Sequence, residues 1–216
     1  MIEVKSESYL VMPIPNKETY PFLLNIHYAQ RIPSISYSFG LYLEAELVGV
    51  VCYGTPSSSS LRAGVAGKEN VDKVLELNRL CLLNNKKNEA SILVSRSLKM
   101  LPKGKIVVSF ADSSQGHMGY VYQACNFTYH GLSAKRTDWA LKSKPHLHGT
   151  TISDMSRGQK NRAQYMRDKF GDDFYLKPRP RKYRYIYITG NQKTRSKMYE
   201  QVKYQQEPYP KKATHD

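Results

Sequence analysis

Val74-Leu-Glu-Leu-Asn-Arg-Leu-Cys-Leu-Leu83, Asn84-Asn-Lys-Lys-Asn-Glu89, Ala90-Ser-Ile-Leu-Val-Ser-Arg-Ser-Leu-Lys-Met-Leu101 and Lys105-Ile-Val-Val-Ser-Phe-Ala-Asp112 are the stretch whose reading decides the fold. The first and last are short apolar runs of strand length, and the third repeats its apolar residues every three to four positions, as a helix does. The second is too polar to be buried and connects strand to helix. Gly119-Tyr-Val-Tyr-Gln-Ala-Cys125 then reads as a short helix, and Asn126-Phe-Thr-Tyr-His-Gly131 as the start of a third strand. Strands alternating with helices predict an α/β (α+β) fold in which a mixed central sheet is flanked by helices.

Upstream, Tyr9-Leu-Val-Met-Pro13 is a plausible first strand, and Asn16 to Arg31 predicts a helix through Phe22, Leu23, Ile26 and Ala29, ended by Pro33. Ser36–Glu44 and Leu47–Tyr53 flank a tight turn at Ala45-Glu46 and predict a hairpin, while Gly54–Ser60 is a loop by composition. Beyond Ser133 the pattern becomes polar and turn-rich. Gly158 to Phe170 has helical character, Pro178-Arg-Pro-Arg-Lys182 breaks the chain, Tyr183–Thr189 alternates like a strand, and Ser196 to Tyr204 predicts a last helix. The expected division is a core of residues 1–156 and a basic, Tyr-rich extension of 157–216.

The 216 residues carry a net charge of +15 and a pI near 9.6, a field that attracts polyanions. Residues 157–216 hold 16 Lys/Arg against 6 Asp/Glu, whereas residues 1–156 hold 17 against 12, so two thirds of the excess lies in the last 60 residues. Eight tyrosines accompany those sixteen cations. Phosphates need cations, and a base drawn out of its stack needs planar neighbours. A DNA-contacting role is therefore expected for Arg179, Arg181, Lys182, Tyr183, Arg184 and Tyr185; a solvated basic strand or a tail that adheres to RNA is the plainer alternative. No run of eighteen apolar residues exists, and the N-terminus has no signal-peptide pattern, so neither membrane nor secretion is expected. Cys52, Cys81 and Cys125 lie in apolar segments without a C-x-x-C pair and read as buried thiols.

A helix N-terminus carries unsatisfied N–H groups and a partial positive charge, so the Asn84–Ser91 connection can hold a phosphate. It resembles the cofactor loop of GNAT-type acyltransferases. Asn85, Asn88 and Ala90 stand at the matching positions, Lys86 and Lys87 add charge, and Ser91 either caps the helix or donates to phosphate. Asn88 departs from the glycine of that pattern but tolerates the left-handed conformation. Tyr120, Tyr122 and Asn126-Phe127 match the helix that faces the thiol end of the cofactor in that fold.

The chain as a whole resembles the Mom family of phage DNA-modification proteins. Pro21–Ala29, Ile35–Leu41, Val48–Pro56, Leu75–Leu80, Glu89–Ser91, Ala111–His117, Gly119–Ala124, Gly131–Trp139 and Pro208–Lys211 carry the resemblance. It implies a GNAT-like enzyme that converts the exocyclic amine of adenine in duplex DNA to a methylcarbamoyl derivative and so shields phage DNA from restriction. It further implies acetyl-CoA or a related acyl-CoA as cofactor, double-stranded DNA with a flipped adenine as partner, and action in the cytoplasm of the infected host. A second copy of the chain is a further candidate partner.

Following the family's motifs, the expected catalytic residues are His27, Tyr28, Arg79, Asp112 and Tyr122. Asp112 ends an apolar strand, where desolvation would lift its pKa towards that of a base; a turn-forming role is the alternative. Arg79, if buried, needs an anionic partner: Asp112, Glu76 or a substrate phosphate. His27 and Tyr28 read equally as a surface pair. A methylcarbamoyl group contains a nitrogen that acetyl transfer does not supply, and His27, Tyr28 and Asp112 would suit an iron ion if a metal were required. His146 and His148 are another metal pair to consider. The competing functions are a silent GNAT-fold module that only binds nucleic acid and a GNAT acetyltransferase acting on another amine.

Overall fold

The computed structural model describes residues 9–147 and 149–211. Its strands are β1 (Tyr9–Pro13), β2 (Tyr37–Leu43), β3 (Glu46–Gly54), β4 (Val74–Leu82), β5 (Ile106–Asp112), β6 (Thr128–Leu132), β7 (Arg136–Leu141), β8 (Phe174–Arg179) and β9 (Lys182–Ile188). The helices are α1 (Asn16–Pro21), α2 (Ser59–Ala66), α3 (Glu89–Met100), α4 (Tyr120–Ala124), α5 (Gly149–Asp154), α6 (Arg162–Phe170) and α7 (Gln192–Tyr199). Two compact units result. Residues 1–111, 117–131 and 183–216 make the larger, and residues 112–116 and 132–182 the smaller.

The larger unit is built on a seven-stranded sheet in the order β1-β2-β3-β4-β5-β9-β6. The first four strands are antiparallel and β4 to β5 is parallel, so the sheet is mixed, with helices flanking it as expected. Leu93, Val94 and Leu98 of α3 pack with Phe39, Leu41, Val51, Tyr53, Leu75, Leu77, Val107 and Phe127 into one apolar core. Each fully buried Leu or Phe contributes roughly 1.5–3 kcal/mol. Inside this core the Tyr53 hydroxyl keeps a partner, Ser97 Oγ, at 2.7 Å.

Local chemistry explains where the sequence and the structure part. The expected helix to Arg31 stops early: α1 ends at Pro21, which has no N–H for the carbonyl four residues back, and Phe22–Ile26 forms a π-turn closed by His27 N–H to Phe22 O at 2.9 Å. His27 then turns extended (φ −69°, ψ 131°), so His27 and Tyr28 lie beyond the helix. The hairpin turn falls one residue early, at Glu44 and Ala45, whose φ values of 49° and 69° match the right-handed twist of the strands. A bulge at Leu41/Tyr42 absorbs the offset. Ser58 accepts from Leu61 N–H and starts α2 inside a stretch expected to be loop, and α7 begins four residues before the helix expected at Ser196.

The division at residue 156/157 does not stand. Tyr183–Ile188 of β9 is inserted between β5 and β6 in the main sheet, and the segment with its own core is internal, made by β7, β8, α5 and α6. There Leu141, Ile152, Met166 and Phe174 are buried, with Trp139 edge-on to Phe174. After β9 the chain crosses to the sheet's last strand. Glu207 N–H bonds Tyr129 O at 2.9 Å and Tyr209 OH bonds Phe127 O at 2.7 Å, which places this closing segment along β6. Among the described residues no helix is long and apolar enough to cross a membrane.

Gly54, the last residue of β3, is sterically required: a Cβ there would lie 1.8 Å from Ser34 O and 3.0 Å from Asn78 Nδ2. Backbone cannot yield as a side-chain tip can, so Gly54→Ala is expected to destabilise the protein by about 2–3 kcal/mol, read as a lower denaturation midpoint at unchanged m-value.

Candidate functional site

The site begins where β4 and β5 separate. They pair only through Val74↔Ile106, Leu75↔Val107 and Glu76↔Val108, and one further link, Ser109 Oγ–H to Leu77 O at 3.0 Å, closes the fork. Beyond it the inner edge of β4 is open. On the other edge, the β3–β4 register steps from Tyr53↔Leu77 to Cys52↔Arg79, leaving Asn78 as the extra residue of a bulge. Such bulges re-aim side chains. Asn78 Nδ2 donates to Ser34 O at 2.8 Å, and Arg79 Nη1 donates to Asn78 O at 2.6 Å. Asn78 Oδ1 and Arg79 Nε are buried with no hydrogen-bond partner among the described residues. An unpaired buried acceptor and donor each cost about 1–3 kcal/mol, which a polar ligand would recover.

Around this pair the structure collects four of the five expected catalytic residues. His27 lies within electrostatic reach of Arg79; Arg79 within reach of Tyr28, Arg31 and Glu76; Tyr122 within reach of Tyr28 and Glu76. Glu76, on β4 two positions from the bulged Asn78, is thus the anion near Arg79. His27 stacks on Tyr28 at 4.5 Å between ring centroids, and Tyr28 is 58% exposed, so this pair faces solvent on one side. Burial, and after it the Arg79 guanidinium, push His27 down from 6.5 to about 4, so its imidazole is neutral. Its Nδ1 accepts from Ala29 N–H at 3.0 Å, which leaves the proton on Nε2. Burial raises the Tyr122 phenol, opposed by the neighbouring Ser109, and keeps it protonated. Burial lowers Arg79, though a guanidinium stays charged at neutral pH.

Asp112 departs from expectation. It belongs to the smaller unit and caps the turn that follows β5, accepting from Ser114 N at 3.0 Å and Ser114 Oγ at 2.6 Å, while Lys182 Nζ sits 2.6 Å from its other oxygen. Burial pushes the carboxyl up, but the bonds from Lys182 and Ser114 prevail and hold it below its ordinary value. A base with a raised pKa is therefore not what this environment makes. Its neighbour in the ion pair, Lys182, was expected on DNA.

The loop between β4 and α3 takes the expected backbone. Asn85 and Asn88 are left-handed (φ 48° and 69°), Asn88 being the residue before α3. Glu89, given no role from its motif, organises it: the residue is 1% exposed, one oxygen accepting Lys86 N–H at 2.7 Å and the other Tyr9 OH at 3.1 Å. Ser91 does not cap the helix but donates to Asn88 O at 2.9 Å. Lys86 and Lys87 are exposed.

The expected DNA-contacting cluster is largely structural. Arg184 is buried, bonding His130 O at 2.8 Å and covering the Tyr204 ring at 3.6 Å, and Tyr185 is wholly buried beside Tyr122 and Tyr129. β9 lies within the sheet and is packed on both faces, so Arg184 on one face and Tyr185 on the other are both enclosed. Arg181 bonds the Ser133 and Leu132 carbonyls, Arg179 clamps Asp138, and Tyr183 packs on Tyr129. An iron site does not fit either. Among the described residues no three His, Cys, Asp or Glu groups converge; His27 Nδ1 is already occupied, and Asp112 is tied to Lys182 and Ser114. His148 lies outside the described residues. The three cysteines are free and buried, each pushed by burial to about 11.

Comparison with known proteins gives a family match over residues 8–211, to the Mom protein family. The methylcarbamoylase mom of Escherichia phage Mu is 30% identical over 191 residues, covering 86% of this chain and 76% of that protein. Among solved structures, a GNAT-family acetyltransferase from Bacillus cereus is 12% identical with a TM-score of 0.44, covering 85% of this chain and 99% of that one. A Bacillus subtilis acetyltransferase in complex with CoA is 12% identical with a TM-score of 0.41, covering 86% and 100%.

The depressed His27 pKa sets a pH dependence. The unfolded chain takes up this proton near pH 6.5 and the folded protein only near 4, so stability present above pH 6.5 is lost as pH falls through that window. NMR titration of the His27 ring should show no change between pH 7 and 5.5, and Arg79→Met should move the midpoint part of the way back up. A midpoint already in the ordinary range would refute the burial argument.

Proposed function

The chain belongs to the Mom protein family, and from that premise we propose that it transfers an acyl-type group from a coenzyme A thioester to the exocyclic amine of adenine in duplex DNA. The product is the methylcarbamoyl derivative, and its role is protection of phage DNA from restriction. The observation that supports this reading best is the fork itself, where a buried guanidinium donor and an amide acceptor stand unpaired among His27, Tyr28, Glu76 and Tyr122.

Each group has a part suited to its state. The adenine amine is a weak nucleophile, so holding it against the carbonyl is a large share of the task. Asn78 Oδ1 can accept an N–H of the base or of the cofactor's amides, and Arg79 Nε can donate to the oxygen on which negative charge grows. His27, neutral and protonated on Nε2, is a second donor rather than a proton acceptor. The protonated Tyr122 can deliver its proton to the departing thiolate as the carbon–sulfur bond breaks and the carbon–nitrogen bond forms. Glu76 is the anion near Arg79 and a candidate to receive the amine's proton. The left-handed Asn85 and Asn88, with Lys86, Lys87, Ala90 and Ser91 around the start of α3, would hold the cofactor's phosphates through backbone N–H groups and charge. An acyl thioester of CoA, when bound, would supply the activated carbonyl and the thiolate leaving group. By this route a methylcarbamoyl product requires a thioester that already carries the methylcarbamoyl group, since an acetyl thioester would leave an acetyl group on the amine.

Mass spectrometry of nucleosides from plasmid DNA grown with the protein tests this. A deoxyadenosine heavier by one methylcarbamoyl group is expected with the wild type, absent with Arg79→Ala and reduced at least tenfold with Tyr122→Phe, at unchanged solubility. Unmodified adenine beside abundant folded wild-type protein would overturn the assignment.

A further inference from the structure

We propose that the outward face of the β7–β8 ribbon in the smaller unit is the surface that grips duplex DNA, with Arg136 and Lys177 as its phosphate-neutralising groups. This rests on the reading of DNA as the substrate and moves the contact from the β9 segment, where Arg184 and Tyr185 are buried and Lys182 is paired with Asp112.

The register defines the face. Arg136↔Arg179, Asp138↔Lys177 and Ala140↔Tyr175 share one side, while Trp139, Leu141 and Phe174 on the other side enter the small unit's core. Period-two alternation thus leaves three cations, one carboxylate and a tyrosine on a surface whose β8 residues from Tyr175 to Arg179 are all exposed. Asp138 is clamped by Arg179. Arg136 and Lys177 are exposed and have no carboxylate partner among the described residues.

Two features separate this from an ordinary solvated face. Arg136 stands directly opposite Arg179, and like charges at directly paired positions destabilise a ladder. Asp138 on the same face answers Arg179, which leaves the Arg136 guanidinium across the ladder and the neighbouring Lys177 as the cations available to an external anion. Pro178 and Pro180 deny β8 further strand pairing, so the ribbon stays two strands wide. A two-stranded ribbon fits the major groove of B-DNA, about 12 Å wide, and six residues per strand span roughly 20 Å. The unit as a whole carries 13 Lys/Arg against 6 Asp/Glu over residues 112–116 and 132–182, a polarity matched to a phosphate backbone. Exposed Tyr175 adds a planar group at the far end of the face.

The test is equilibrium binding to a fluorescently labelled duplex across a salt series, from about 50 to 200 mM. Arg136→Ala with Lys177→Ala should weaken binding at least tenfold at low salt and reduce the slope of log affinity against log salt by about two, near one per lost phosphate contact. The charge-keeping Arg136→Lys with Lys177→Arg should restore the slope. Lys193→Ala with Lys197→Ala, exposed on α7, should leave it unchanged. Equal slopes for the wild type and the ribbon double variant, with the α7 variant reduced instead, would overturn the ribbon assignment and leave DNA as substrate. A wild type that fails to bind the duplex even at the lowest salt would remove the DNA reading itself.

Discussion

Two parallel strands that share three residue pairs and then part create the conditions for everything else in the larger unit. Had β4 and β5 paired along their lengths, the backbone of residues 78–82 would be saturated on both sides and the inner edge of β4 would be closed. The fork is held open from both flanks. Ser109 pins its base, and on the β3 side the Asn78 bulge ties the strand to Ser34 across Gly54, where no larger residue fits. The unsatisfied Asn78 and Arg79 atoms are then a direct consequence of strand geometry, carried by a core large enough to tolerate them.

The elements that rest on local pattern were legible. Strands β4 and β5, helix α3 and the hairpin follow from period and turn position, and the left-handed Asn88 follows from its place ahead of a helix. What escaped was non-local. Nothing around Tyr183 tells that β9 inserts between β5 and β6 rather than trailing behind them, and the same basic, aromatic spacing serves a DNA surface or a strand with an arginine sealed under Tyr204. The Asn16–Arg31 reading failed for a subtler reason: apolar spacing continues past Pro21, but the hydrogen-bond ladder does not.

The candidate site divides along the same line. His27, Tyr28, Arg79 and Tyr122 could be named from motifs, and they converge. Their protonation could not, because it depends on neighbours far away in the chain. Asp112 shows the difference: seventy residues separate it from Lys182, and that one ammonium reverses the direction in which burial alone would move its carboxyl. Glu89 was passed over because a glutamate in a polar loop is ordinarily solvated, and only its contact with Tyr9, eighty residues away, reveals a buried clasp.

The segment that closes the chain along β6 bears on how the protein behaves at high concentration. A terminal strand with bare amides is a template on which another chain can build, and β6 would otherwise be such a template. Glu207 and Tyr209 occupy Tyr129 and Phe127 carbonyls there, and Glu207 lies so close to Gly131 that a Cβ would meet its carboxylate at 2.5 Å. Continuation of the sheet from copy to copy is thereby discouraged at this border.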